Sequence, residues 1–264
     1  MFKMWSVWHV LFMLSPIIIL GVLYLCLRKA SYKVRYIVGV VIGCISLAIL
    51  IVRNIDVYNR LGLVPDLIPL QICHLGNIFV FISLLTRSKI MTSITYSFNV
   101  VCAVLSLVFA DFLETVPTVF AIRPQTYIWG HIFIVVGGLY PVLFKLVRLD
   151  FKSFLKGYFC IYLFVIPAII LNSYFNDVLN MECNYFYLYD YHGVPTKFIY
   201  DLVPRLKIGW FTVDWLYVLI LVITFSAFIF LIYSSQYLLY LKPESKEYKT
   251  YNIFEERKLK RTDN

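Results

Sequence analysis

The chain has 264 residues, of which 61% are hydrophobic and 15% charged, and a formal net charge of +9. That balance excludes a soluble domain and a disordered chain, and leaves an integral membrane protein. The excess of basic residues raises the question of nucleic acid, which their distribution along the chain answers below.

Seven stretches are long and apolar enough to cross a bilayer: Trp5–Leu27, Tyr36–Val52, Pro69–Leu85, Ile90–Ala110, Tyr127–Val147, Phe154–Leu171 and Phe211–Tyr233. A span takes about 17–25 residues at ~1.5 Å each. In lipid each backbone group must be bonded within its own segment, so these stretches are helices. The expected fold is all-α, a polytopic membrane protein with seven transmembrane helices over residues 1–235 and a charged cytoplasmic tail over 236–264. The first stretch is expected to stay as an uncleaved helix. Only Lys3 precedes it, its apolar run is long for a signal peptide, and no small-residue cleavage site follows.

With the N-terminus outside and the C-terminus inside, seventeen of the 24 Lys and Arg fall on inside segments and seven on outside ones. This is the positive-inside pattern. The basic charge therefore orients the chain in a cell membrane and meets anionic headgroups. Membrane lipids are the expected partners, and nucleic acid is not.

The third stretch breaks the apolar pattern. In "LIPLQICHLGNIFVF" (67–81), Gln71, Cys73, His74 and Asn77 fall within seven residues. With the helix starting at Pro69, Cys73 lies about one turn inside; it shares a face with Asn77, and His74 is turned ~100° away. The fifth stretch enters from the same side through "RPQTYIWGHIF" and brings His131 to a similar depth. Arg53 closes the second stretch, Asp111 and Glu114 the fourth, and Asp214 opens the seventh. Ionisable groups in a membrane are costly, face the bundle interior and mark sites, so a polar pocket is expected here, bordered by Arg53 or Asp111. The remaining span interiors read as dry hydrocarbon, with Cys26, Cys44, Cys102 and Cys160 as packing residues. His9 and His192 carry no signal. Gly137 and Gly138 offer close packing, and Pro141 and Pro167 kinks. The outer loop Asn172–Trp210, with "NYFYLYDYHGVP", is either an interfacial anchor or a cover over a cleft. Four scattered His and the lack of CxxC or HExxH spacing give no metal site, and no cofactor is expected.

Three short elements, "IPLQICHL" (68–75), "WGHIF" (129–133) and "CNYFYL" (183–188), resemble in order and side those of the bacterial YwaF-type membrane proteins and their relatives, the vertebrate transmembrane protein 164 group. Gln71 stands where many members have His, and Cys183 where a small polar residue is expected. The resemblance implies acyl transfer to lysophospholipids, or lipid hydrolysis, with Cys73 and His131 as the catalytic pair and Asn184 and Tyr185 among the substrate contacts. The residues themselves allow that chemistry. A thiol attacks as the thiolate, which a nearby His or a helix N-terminus favours, and Gln71, His74 or Asn77 offers donors to an oxyanion. The residues also leave open a non-enzymatic protein, either a small-solute carrier or channel or a membrane assembly factor. The dry midplane and the lack of an internal repeat count against transport. A disulfide between Cys73 and Cys183, both on the outer side, is the alternative use of the same thiol.

Overall fold

The computed structural model describes residues 2–190, 200–202 and 204–240. Its helices are α1 (Val7–Leu27), α2 (Tyr32–Leu61), α3 (Ile72–Thr86), α4, α5 (Ile122–Leu143), α6 (Phe151–Ser173) and α7 (Trp215–Tyr240). α4 is α-helical over Lys89–Ile94 and Val100–Val108, joined by a π-helical turn over Thr95–Asn99. Seven helical segments among the described residues are long and apolar enough to cross a membrane. The sequence writes five of the starts directly, Ser88 capping α4 by accepting the Met91 N–H. Ser6, Ser31, Asp150 and Asp214 accept the N–H groups of His9, Val34, Ser153 and Tyr217, donors that a helix N-terminus otherwise leaves without partners.

α5 is the most buried span and packs against α2, α3 and α4, while α1 and α7 lie at the periphery. The close approach expected of Gly137 and Gly138 is present. A Cβ on Gly137 would lie 2.3 Å from Val80 Cγ1, and one on Gly138 2.9 Å from the Thr95 carbonyl oxygen. His9, unremarkable in the sequence, is fully buried: its Nδ1 accepts the Trp5 N–H at 2.9 Å and its Nε2 meets the Leu107 carbonyl at 2.8 Å. It clips α1 to the end of α4.

The helix boundaries differ from the sequence reading where polar groups interrupt the pattern. α3 begins at Ile72 rather than Pro69, after a 3₁₀ turn at Pro65–Leu67 and a non-helical stretch over 68–71. α2 continues two turns past Arg53, to Leu61. Residues 211–213, read as the start of the seventh span, are a strand instead: β1 (Leu206–Ile208) pairs antiparallel with β2 (Phe211–Val213). The two-residue turn between them needs a positive φ, which Gly209 supplies at 61°. The helix starts only at Trp215, under its Asp214 cap, and continues to Tyr240. The all-α class stands apart from this hairpin. His192 and the tail beyond residue 240 lie outside the described residues.

The dry span interior is also corrected. Ser83, Thr92, Ser93, Thr95, Ser97 and Asn99 are all buried along α3 and α4. Most of these hydroxyls bond to each other or to carbonyls three or four residues back, as Ser93 does to Lys89 (2.8 Å) and Thr95 to Thr92 (3.1 Å). They look apolar to a hydropathy window because their polarity is closed locally.

Two expected outcomes follow from this packing. Gly138→Ala drives a Cβ into backbone and lowers stability by about 1–3 kcal/mol or more, whereas Gly21→Ala, with nothing within 4 Å of the added atom, is neutral or slightly stabilising; thermal unfolding in detergent compares them. Asp150→Ala removes the α6 cap at a cost of ~1 kcal/mol. The Lys89 ammonium, 2.9 Å away, holds the Asp150 carboxyl below its usual range. The folded-state value is lowered, so this stabilisation is complete above the ordinary carboxylate pKa and is lost as pH falls through the lowered one. Stability of the two proteins should therefore differ at pH 7 and converge in acid, once the carboxyl is protonated in the folded state.

Candidate functional site

The late start of α3 sets the site. Its 15 residues span only ~21 Å at 1.5 Å per residue, short of the ~30 Å hydrocarbon core. Cys73 is therefore the second residue of α3, rather than one turn inside a longer helix. The N–H groups of the first helical turn, those of Ile72, Cys73 and His74 among them, point away from the helix, at its positive end, where a negative charge is favoured. His131 is the tenth residue of α5 and so reaches inward by ~13 Å. The two side chains meet at one depth because α3 starts deeper than α5.

His131 is buried, and its Nδ1 lies 2.7 Å from the Tyr127 carbonyl oxygen. A carbonyl can only accept, so Nδ1 carries the proton and Nε2 holds a free lone pair. No hydrogen bond joins His131 to Cys73. Both line the same two chambers, one of about 260 Å³ and one of about 570 Å³. Gln71, Cys73, Phe112, Tyr127, His131 and Tyr187 belong to both and form the wall between them. The smaller chamber is the more polar of the two, with Arg53, Asp66, Arg123, His74 and Asn77 in its lining. The larger is mainly apolar, with residues such as Leu105, Ile134, Phe225 and Phe228. Asp111, expected to border the pocket, is exposed and lines the apolar chamber along with Cys73 and His131.

The other candidates divide by what their polar atoms touch. The Asn77 amide is engaged at both ends, accepting from Ser46 (2.7 Å) and donating to the Cys73 carbonyl (2.9 Å). Arg53 donates to the Asp66 carbonyl at 2.8 Å and pairs with its carboxylate. The Tyr185 hydroxyl donates to the Pro65 carbonyl. These three hold the unwound segment and the α3 turn. Gln71 and His74 are different. The Gln71 amide makes no hydrogen bond among the described residues, and His74 Nδ1 is buried without a partner.

The segment that follows α6 reaches the site through Tyr187. Asn172, buried on α6, grips the Tyr185 backbone at both ends, accepting its N–H (2.7 Å) and donating to its carbonyl (3.0 Å). Asn176 donates to the Cys183 carbonyl at 2.6 Å, and the Asn184 side chain accepts from Tyr189 at 3.0 Å. Phe186 and Tyr187 both take a left-handed φ of 56°, strained for such residues, and the bend delivers Tyr187 into the dividing wall. Burial, and then the neighbouring Cys73, pushes the Tyr187 phenol up, so it stays protonated. All six cysteines are free, and the Cys183 thiol points at Asn172 Oδ1 (3.4 Å). Burial pushes that thiol up to about 11.

Sequence reasoning missed four groups in these walls: Asp66 and Arg123 in the polar chamber, Asn99 in the apolar one, and Tyr187 between them. Asn99 is buried, donates weakly to the Ile72 carbonyl (3.5 Å) and leaves Oδ1 unpartnered. The only available signal was "TSITYSFN", a polar run inside a span.

With this geometry the comparisons can be placed. The model of the TMEM164 family matches residues 2–233, and the chain belongs to that family. No curated protein and no solved structure matches it. The chain is a multi-pass membrane protein.

If the Asn172 grip holds this segment, Asn172→Leu strands a buried N–H and C=O of Tyr185. The expected loss is about 2–4 kcal/mol, with faster proteolysis within 180–190, while Glu182→Ala at an exposed position leaves both unchanged. Limited proteolysis and thermal unfolding measure the two effects.

Proposed function

We propose that this membrane protein is an acyltransferase that acts on phospholipid acyl chains through Cys73 and His131. The observation that carries the reading is the dividing wall: a thiol at a helix N-terminus and a histidine with a free Nε2 lie together between a polar and an apolar chamber. A phospholipid has the same division, a charged head and an apolar chain joined at the ester.

His131 Nε2 takes the Cys73 proton, and the sulfur attacks the ester carbonyl carbon. The oxyanion meets the free first-turn N–H groups of α3 and the Gln71 amide. As the C–O bond breaks, the imidazolium returns the proton to the leaving alkoxide, giving a lyso-lipid and an acyl-cysteine. A hydroxyl of an acceptor lipid then reverses the sequence, and water in its place would make the reaction a hydrolysis. Direct proton transfer needs ~2.6–3.2 Å or one bridging water, so substrate binding must bring the pair together or leave a water between them. With the N-terminus outside, this site serves the outer leaflet.

The test compares membrane lipids from cells making the wild type, Cys73→Ala and His131→Ala. Acyl-chain remodelling should vanish in the first variant and fall about 10²–10⁴-fold in the second, the usual range for losing a general base. An acyl-type electrophile should label Cys73 in a His131-dependent way and leave Cys183 unlabelled. Identical lipid profiles and His131-independent labelling would instead favour the non-enzymatic reading.

A further inference from the structure

A lipid must pass the surrounding helices to reach Cys73, and besides its end at the exposed Asp111 and Thr115 the apolar chamber opens sideways between two of them. α7 is fastened to α4 at the π-helical turn, by the Tyr96–Ser235 hydrogen bond (2.9 Å) and the Phe98–Phe225 ring pair (6.2 Å). Beyond the turn, along Val100–Val108, the two helices touch only sparsely. The chamber comes to the surface in that gap. Leu105 and Phe109 of α4 and Thr224 and Phe228 of α7 line it and are also exposed. Its other end reaches Asn99 and His131, both buried. All four mouth residues lie within spans, so the medium outside the mouth is hydrocarbon.

We propose that the cleft between α4 and α7 is a lateral portal through which the acyl chain of a bilayer lipid slides from the membrane to the Cys73 wall. The chemistry at each end selects that occupant. A passage opening on hydrocarbon and lined mainly by apolar side chains leaves an alkyl chain in surroundings much like those it came from, so loading requires no transfer through water. A free headgroup or a small polar solute would lose its hydration at the mouth and find few partners along the walls. The polar groups come at the inner end, where an ester carbonyl following its chain arrives beside Cys73. The π-helical turn serves the passage in two ways: it is the point where α7 is anchored, and it carries Asn99 into the chamber. This inference deepens the acyl-transfer reading and rests on it for what happens after the chain arrives.

The experiment uses the full chain in phosphatidylcholine nanodiscs doped with phosphatidylcholine bearing a diazirine on one acyl chain. After irradiation, mass spectrometry maps the adducts. Adducts are expected at the inner residues Cys102 and Ile134. They should fall about tenfold, the change that ~1.4 kcal/mol of impeded access produces, in both Thr224→Trp and Leu105→Trp, which fill the mouth from opposite walls. Ile223→Trp, at an exposed α7 position outside the chamber, should keep the wild-type pattern, as should Cys73→Ala. Absence of inner adducts in the wild type, or their persistence in both mouth variants, overturns the portal. Transfer activity that survives both tryptophans also overturns it and leaves the Cys73–His131 reading standing. Inner adducts that both tryptophans abolish, in a protein without transfer activity, uphold the portal and remove the enzymatic reading.

Discussion

Hydrocarbon tolerates unwound backbone only where protein or a cavity receives its polar groups, and the rest of this structure follows from how residues 65–72 meet that demand. Backbone N–H groups take the carbonyls of Pro65, Ile68 and Gln71, and side chains from other elements reach three carbonyls of the segment. Tyr185 from the outer segment takes Pro65, Arg53 from α2 takes Asp66, and Asn99 from α4 takes Ile72. Each donor is itself costly to bury, and each is fixed by the carbonyl it satisfies. The reward for the irregularity is a helix N-terminus at Cys73, which a longer helix cannot offer.

The same demand explains the segment that follows α6. A segment that reaches a buried site must satisfy its own backbone, and the three asparagines Asn172, Asn176 and Asn184 do so with side-chain amides that offer a donor and an acceptor at once. The strained pair Phe186 and Tyr187 is held by this network and by the Tyr185 anchor beside it. The arrangement fixes Tyr187 in the dividing wall, while the apolar chamber reaches the surface at Asp111 and Thr115 and along the side of the bundle.

Much of this was legible in the sequence, and the failures share a cause. Spans were visible because apolar runs of that length have no other stable home, and Cys73, His74 and His131 stood out because polar groups in such runs are rare. The start of α3 was placed three residues early because Pro69 suits a first helical turn, and nothing local shows that Gln71 takes the cap position instead. Arg53 and Tyr185 read as ligand contacts because their carbonyl partners are 13 and 120 residues away. Asn99 was hidden among hydroxyls that close their hydrogen bonds on their own helix. Arg123 looked like an ordinary helix-end charge, and its position over the Phe112 ring, 5.3 Å away, together with its pairing to Asp66 at 4.0 Å, turns it toward the chamber.

The shortness of α3 also bears on how the protein is made. A segment with 15 helical residues and four polar groups at its start is a weak candidate to leave the translocon for lipid unaided. Its natural escort is α2, thirty residues long and already synthesised, whose Ser46 receives Asn77. The remaining partners emerge later: Asn99 with α4, His131 with α5 and Tyr185 last of all. Until that last loop is translated, the carbonyl of Pro65 has no hydroxyl to bond. The polar wall is thus finished late and the apolar chamber later still, with α7, and a chain released before residue 185 would carry an intact thiol in an open, unsealed notch.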